Sequence, residues 1–123
     1  MTTRLFVYGT LTPVGDAWPV LAGWTIGRPC SDAVAGRLYD TGRGYPAATF
    51  DHDRSGGADL VHGTVVTLDP SRVEAALAAL DRYEAEEYDR IVVRTVGGIE
   101  AYAYDWVASL AGCRPVAGGR WRS

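Results

Sequence analysis

The hydrophobic pattern of the chain predicts mainly short strands. Four runs rich in β-branched or aromatic residues are bounded by turn residues, as is typical of strands: "RLFVY" (4–8), "AVAGRLYD" (33–40), "YPAATF" (45–50) and "LVHGTVVTL" (60–68). Pro46 predicts an edge position or a bulge for the third of these strands, because proline cannot donate a ladder hydrogen bond. The polar, glycine-containing segment 50–58 predicts a loop within the same domain.

A hairpin is predicted between "YDRIVVRTV" and "IEAYAYDW", which are separated by Gly97 and Gly98. The favoured two-residue hairpin turns need positive φ angles, which glycine adopts without steric cost. We therefore expect Gly97 and Gly98 to form a two-residue turn.

One helix is predicted in "DPSRVEAALAALDRYE". Asp69 is a favoured N-cap, and Pro70 suits the first helical position, where its missing N–H costs nothing. Four residues follow one another at spacings of four, three and four and so lie on one face: Val73, Leu77, Leu80 and Glu84. The apolar stripe of the helix therefore ends in a carboxylate.

Two interpretations of Glu84 are open at this point. If the helix persists to Glu84, the side chain points toward the core, where desolvation and the negative end of the helix dipole raise its pKa and suit it to proton transfer. Helix ends also fray, and periodicity alone favours a solvated terminal glutamate. Glu86 and Glu87 follow at once and predict a solvated loop before the hairpin.

Length and composition limit the class of protein. The 123 residues, 47% of them hydrophobic, suit a single domain spanning residues 1–123. A net charge of -3 and scattered arginines argue against nucleic-acid binding. No apolar stretch approaches the roughly 20 residues that span a bilayer, and the N-terminus lacks a signal-peptide pattern, so we expect a cytoplasmic protein that binds no membrane. Cys30 and Cys113 lack metal-type spacing, which predicts two free, unreactive thiols and no metal site.

The order of several short segments resembles the gamma-glutamylcyclotransferase-like family. These segments are "LFVYGTL", "GRLYD", "YPA", "HGTVVTL", "LDRYE", "YDRIVVRTV" and the C-terminal "GGRWRS". The resemblance covers nearly the whole chain and is closest to the small bacterial gamma-glutamylamine cyclotransferase, or avirulence-induced-gene-like, branch. It implies an α+β fold, a small mixed-sheet β-barrel flanked by helices, with a cavity at one end for a γ-glutamyl group.

The resemblance also implies a site. Glu84 occupies the position of the family's catalytic glutamate, and the loop after the first strand lines the cavity with backbone N–H groups. The substrate-binding residues implied in this way are Tyr8, Gly9, Thr10, Leu11 and Tyr88. Tyr8 is open to a second interpretation, as core packing with its hydroxyl at the surface. The partner implied is a small γ-glutamyl compound, with no metal and no cofactor, and the protein is expected to be a monomer or a homodimer.

The implied reaction closes a five-membered lactam. The α-amino group of the substrate attacks its own γ-carbonyl, which forms 5-oxoproline and expels the attached amine or amino acid. A base must take a proton from an ammonium group of pKa about 8, and the same group can then protonate the leaving amine. Backbone N–H groups at the glycine-bearing turn can stabilise the oxyanion or bind the α-carboxylate. Both tasks remain open for the Gly9 loop.

The remaining aromatic, histidine and hydroxyl residues carry less chemical signal. We expect structural or exposed roles for His52 and His62, because no spacing marks either as a ligand or a base. Thr10 has no recognisable acid–base partner and is a poor candidate for a nucleophile. The four tryptophans are expected to pack the core or cover the barrel ends: Trp18, Trp24, Trp106 and Trp121.

Two departures from the family pattern affect the rim of the implied pocket. After the first motif the family often has a basic residue, a glycine and an Asn-His pair, where this chain has "TPVGDAW". Ala85 follows Glu84 in place of glycine, and Glu86 and Glu87 alone separate it from Tyr88. We therefore expect a shorter, acidic rim that favours a cationic leaving amine. Two function classes stay open: a cyclotransferase with Glu84 as acid/base, and a non-catalytic module of the same barrel that binds a small carboxylate-bearing ligand.

Overall fold

Seven strands and two α-helices make up the described part of the chain. The computed structural model describes residues 2–13, 15, 17–50 and 59–121. In chain order the elements are β1 (Arg4–Val7), α1 (Trp18–Ala22), β2 (Thr25–Asp40), β3 (Pro46–Phe50), β4 (Leu60–Leu68), α2 (Val73–Glu84), β5 (Tyr88–Arg94), β6 (Glu100–Trp106) and β7 (Arg114–Pro115). Single 3₁₀ turns occupy Pro70–Arg72, Ala85–Glu87 and Ala117–Gly119. The predicted loop over 51–58, which contains His52, lies outside the described residues.

The strands form one mixed sheet that is nearly closed into a barrel. Their order is β3-β2-β4-β1-β6-β5, and β7 pairs with β2. β1 and β6 run parallel, whereas the other pairs are antiparallel. Side chains bridge the gap between the edges: the Phe50 N–H donates to the Asp105 carboxylate (3.1 Å), and the Tyr88 hydroxyl donates to the Pro46 carbonyl (2.6 Å). With the two helices beside the sheet, this confirms the predicted α+β barrel.

Alternation along β1 divides the core into two parts. Phe6 and Tyr8 point into the barrel interior, where Val34, Leu38, Phe50, Val61 and Val65 also pack. Leu5 and Val7 point to the other face, against residues of both helices: Leu21, Leu77 and Leu80. Full burial of each such side chain contributes roughly 1.5–3 kcal/mol. The helices therefore cover the outer face of β1, and the end of this strand lies between the two cores.

Most of the predicted strands are confirmed. β1, β3 and β4 match the predicted runs to within one residue, and Pro46 opens a strand at the edge of the sheet, as predicted. β2 instead begins at Thr25, eight residues before the predicted start. Its first half is exposed, contains Gly27 and Pro29, and shifts register between Ile26 and Cys30, so it carries no alternating hydrophobic pattern.

The hairpin between β5 and β6 is present, but the predicted two-residue turn is wrong. The Thr95 N–H donates to the Ile99 carbonyl, and the Gly98 N–H donates to the Thr95 carbonyl (both 2.9 Å). The loop therefore contains three residues, 96–98, and Gly98 has a positive φ of 86° whereas Gly97 does not. This is the turn-plus-bulge geometry of three-residue hairpins, which needs one left-handed residue rather than two.

Several smaller features complete the fold. Trp106 is buried, and the other three tryptophans pack against the two cores, as predicted. Cys30 is exposed and Cys113 half-buried, and both are free. His62 is half-buried in β4. Over the ranges that the structure describes, no helix is long and apolar enough to cross a membrane.

Candidate active site

A cavity of about 620 Å³ opens where β1 ends. Its volume is within the range of small-molecule sites. The walls come from the end of β1 and the loop after it, the turn between β2 and β3, the C-terminus of α2 with its 3₁₀ extension, and one residue of β6. The lining residues are Phe6, Val7, Tyr8, Gly9, Thr10, Leu11, Ala17, Gly44, Tyr45, Pro46, Tyr83, Glu84, Ala85, Glu87, Tyr88 and Tyr104.

The local sequence explains why the end of α2 places the Glu84 carboxylate in this cavity. The Asp69 carboxylate accepts from the Ser71 N–H (3.0 Å), as the predicted cap, but the first turn at Pro70 is 3₁₀ and the α-helix begins at Val73. Leu77 and Leu80 are buried in the helix-side core and fix the rotation of the helix. Glu84 is the last residue of α2, and the positive φ of Ala85 (63°) turns the chain away.

Glu84 is half-buried and lines the cavity. None of the described residues forms a hydrogen bond or ion pair with its carboxylate, so burial is uncompensated and raises its pKa to about 7. The structure therefore favours the core-facing interpretation of Glu84 over the solvated one. A carboxyl group that titrates near neutrality can accept and return a proton at physiological pH.

The loop after β1 forms the wall of backbone groups. The Thr12 N–H and hydroxyl both donate to the Gly9 carbonyl (3.1 and 2.9 Å), and the Ala17 N–H donates to the Thr10 carbonyl (2.8 Å). No acceptor among the described residues takes the N–H groups of Gly9–Leu11, and all three residues line the cavity. The structure thus brings Glu84 and this loop to one cavity. Their roles toward a substrate stay predictions.

Tyr8 and Tyr88 line the cavity with hydroxyls that are already engaged. The Tyr8 hydroxyl donates to the Tyr104 carbonyl (2.6 Å), and its ring packs edge-on against Phe50. Tyr8 therefore combines the two alternatives, since it lines the cavity and packs in the core. The Tyr88 hydroxyl donates to Pro46, and its ring packs on Trp106. Burial raises the pKa of both phenols, so they stay protonated. Because both hydroxyls already donate to carbonyls, the two rings offer apolar surface to a ligand rather than free donors.

The outer edge of the cavity, here called the rim, consists of the lining residues Tyr45 and Glu87 and of Arg43, which pairs with Glu87. It differs from the prediction. The Glu87 carboxylate accepts from the Arg43 guanidinium (2.7 Å) and from the Tyr45 hydroxyl (3.0 Å), and the Arg43 bond is the main cause of its lowered pKa. Glu86 is exposed and does not line the cavity. Glu86 is thus solvated as predicted, and the Glu87 side chain is 34% exposed but paired. The predicted acidic rim is wrong, because a cation on the β2–β3 turn compensates the lining carboxylate.

Sequence reasoning gave no functional weight to several residues of the site. Tyr104 lies in the alternating run "AYAYDW", in which either set of alternate residues could face the cavity. Arg43 follows a glycine in "TGRGY" and meets Glu87 only after the barrel has formed. Neither residue carries a local signal that could have identified it.

Comparison with known proteins places the chain in a family. A model of the family described as "Gamma-glutamyl cyclotransferase, AIG2-like" matches residues 5–123. The chain belongs to this family, as the order of its motifs predicted. Among curated proteins, none matches.

Solved structures share the fold. A protein specific to uropathogenic Escherichia coli is 23% identical, with 99% of this chain and 94% of that one covered and a TM-score of 0.77. The ytfP protein of Escherichia coli is 28% identical over 96% and 95% of the two chains, with a TM-score of 0.61. An AIG2-like protein of Mus musculus is 16% identical over 87% and 78%, with a TM-score of 0.67.

Proposed function

We propose that the protein is a gamma-glutamyl cyclotransferase that releases 5-oxoproline and a free amine from a small γ-glutamyl amine or amino acid. The proposal rests on the position of two groups in the cavity. A half-buried carboxylate and a loop of backbone N–H groups, both without partners among the described residues, share one cavity large enough for such a substrate. Family membership supports the same class of reaction.

Glu84 acts as the general base and then as the general acid. Its pKa of about 7 lies close to the value of about 8 for an α-ammonium group, so proton transfer between them costs little. The α-nitrogen, once deprotonated, attacks the γ-carbonyl carbon and the new C–N bond closes the ring. The proton on Glu84 then passes to the leaving nitrogen as the original amide bond breaks. Glu84, ionised again, then takes the second proton from the ring nitrogen and passes it to the freed amine, which leaves as an ammonium. Both protons lost by the attacking nitrogen thus end on the leaving amine, and the enzyme contributes no nucleophile.

The Gly9 loop holds the negative groups of the substrate. Charge develops on the γ-carbonyl oxygen in the tetrahedral intermediate, and the substrate also carries an α-carboxylate. Preorganised N–H groups at Gly9–Leu11 suit either anion. Ring closure further requires a folded substrate, and an enclosed cavity contributes by holding amine and carbonyl in contact.

The rim favours a broad class of leaving groups. Glu87 is paired with Arg43, so the rim offers no free negative charge to a cationic amine at this point. The proposal therefore extends to neutral amines and amino acids as well as cationic amines. Turnover of γ-glutamyl amines and γ-glutamyl amino acids should differ little in consequence.

The test is release of 5-oxoproline from a panel of γ-glutamyl amines and γ-glutamyl amino acids. We expect activity with at least one class, and a loss of about 10²–10⁴-fold in Glu84→Gln, as is typical when a general acid–base group is removed. Glu86→Gln is the matched control, because Glu86 is exposed and does not line the cavity. Binding of γ-glutamyl compounds without any 5-oxoproline would overturn the proposal in favour of a non-catalytic binding module.

A further inference from the structure

We infer that Tyr104 is a positioning residue that keeps Glu84 at a fixed distance from the Gly9 loop. The inference rests on the proposed function, because it concerns how the base and the backbone donors are kept at a fixed separation. Tyr104 lies on β6, and only 4% of its surface is exposed. It contacts both walls of the cavity through different groups.

The side chain of Tyr104 bonds to the last turn of α2. Its hydroxyl donates to the Asp81 carboxylate (2.7 Å), which also accepts from the Arg90 guanidinium of β5 (3.0 and 3.3 Å). Asp81 is three residues before Glu84 and so lies next to it on the helix surface. Within the part of the chain that the structure describes, Asp81 is the residue of turn 81–84 whose side chain hydrogen-bonds to the sheet.

The backbone of Tyr104 bonds to the start of the other wall. Its carbonyl accepts from the Tyr8 hydroxyl (2.6 Å), and Tyr8 immediately precedes Gly9. β6 also pairs directly with β1, at Leu5 and Tyr102. One residue of a central strand thus connects the helix that carries the base to the loop that carries the N–H groups.

The hydroxyl of Tyr104 is not free to bind substrate. It is engaged by Asp81, and burial raises the pKa of the phenol, so it stays a donor. Without this bond Asp81 would keep only its ion pair with Arg90, and such partly exposed pairs contribute little. The last turn of α2 would then be held mainly by Leu77 and Leu80, one turn or more before Glu84. Looser positioning by about 1 Å can lower a rate up to about 10²-fold.

The test compares Tyr104→Phe with Tyr102→Phe. Tyr102 lies two residues earlier on the same strand, is half-buried and makes none of these bonds, so its substitution removes a hydroxyl of the same kind. We expect Tyr104→Phe to lower kcat about tenfold with KM changed less than about threefold. Carboxyl NMR should show the pKa of Glu84 falling from about 7 toward its ordinary value, because a looser helix end admits water. Tyr102→Phe should change neither quantity.

Substitution of Asp81 separates the hydrogen bond from the charge. Asp81→Asn keeps an oxygen that accepts from Tyr104 and should retain most of the activity. Asp81→Ala removes the acceptor and should reproduce the effects of Tyr104→Phe.

The outcomes distinguish this inference from the proposed function. If wild type releases no 5-oxoproline, the proposed function fails, and the NMR titration still decides whether Tyr104 positions Glu84. If Tyr104→Phe lowers only Tm while kcat and the pKa of Glu84 match those of Tyr102→Phe, the inference is overturned.

Discussion

The cavity carries two glutamates that are three residues apart. Glu84 lies on the inner wall, which it forms with the Gly9 loop, and Glu87 lies at the rim. The pKa values of the two carboxyl groups are shifted in opposite directions. Glu84 on the inner wall has no partner among the described residues, and burial raises its pKa to about 7. Glu87 at the rim accepts from Arg43 and Tyr45, and its pKa is lowered. Glu84 ends the face of α2 that carries Leu77 and Leu80, so it points inward, whereas the chain after it turns at the positive φ of Ala85 and Glu87 reaches the β2–β3 turn.

The rim groups therefore bond to one another, whereas the inner-wall groups have no partner among the described residues. The rim groups satisfy one another and so hold the β2–β3 turn against the end of α2. Among the described residues, a carboxylate and several N–H groups of the inner wall have no partner, although burying unpaired polar groups costs stability. A fold that retains such groups in a cavity is typical of a ligand site. The predictions below test whether this division holds.

Among the effects that compare the two glutamates, the largest expected one is the pH dependence of catalysis. If Glu84 must be ionised to accept a proton, kcat/KM falls about tenfold per pH unit below pH 7, and by about 100-fold at pH 5 relative to the plateau. The measurement is 5-oxoproline release from pH 5 to 9, with protein stability checked at each end.

Substitution at the rim provides the control for this profile. Glu87→Gln should leave the acidic limb where it is in wild type, because Glu87 is already ionised across this range. If the acidic limb of the kcat/KM profile shifts or disappears in Glu87→Gln, Glu87 rather than Glu84 is the titrating base.

The second effect is on stability, and it has opposite signs at the two positions. The pKa of Glu84 is higher in the folded chain than its ordinary value of 4.5, so the folded state binds more protons between about pH 4.5 and 7. The free energy of unfolding therefore falls as pH rises through this window. Glu84→Gln removes this penalty and should raise the free energy of unfolding above pH 7 by up to about 3 kcal/mol.

Glu87→Gln should act in the other direction. The lowered pKa of Glu87 gives a contribution that is present above its ordinary pKa and lost as pH falls. Urea titrations of both variants at pH 5 and pH 8 measure the two signs. A Glu84→Gln protein that is less stable than wild type at pH 8 would show that the buried carboxylate has a stabilising partner.

The fold was largely predictable because the relevant signals are local. Runs of β-branched and aromatic residues bounded by turn residues identified β1 and β4, and the cap at Asp69 with the stripe ending at Glu84 identified α2. The start of β2 was missed because its exposed half pairs with neighbours without burying a face. Barrel closure was expected only through the family resemblance, since a hydrophobic pattern does not specify which strands pair.

The site was predictable in part. Glu84 and the Gly9 loop were found because helical spacing and motif order marked them. The partners of Glu87 were missed, since Arg43 and Tyr45 are more than forty residues away and meet it through the tertiary fold. A count of the two glutamates therefore predicted a net negative rim, whereas the carboxylate that lines the cavity is compensated by Arg43.

The smallest expected effect concerns the point where the inner wall meets β3. A Cβ on Gly9 would lie 2.6 and 2.8 Å from ring atoms of Pro46, so Gly9→Ala must displace the loop or the proline. We expect it to lower kcat/KM about tenfold, because shifted N–H groups no longer match the anion that the proposed function places there. If Thr10 contributes its backbone N–H and not its hydroxyl, Thr10→Ser should lower kcat/KM less than Gly9→Ala does. Both variants are assayed for 5-oxoproline after Tm has shown that they fold. Loss of activity in Thr10→Ser with full activity in Gly9→Ala would mean that the loop acts through a side chain, and the division between backbone and carboxylate chemistry on the inner wall would fail.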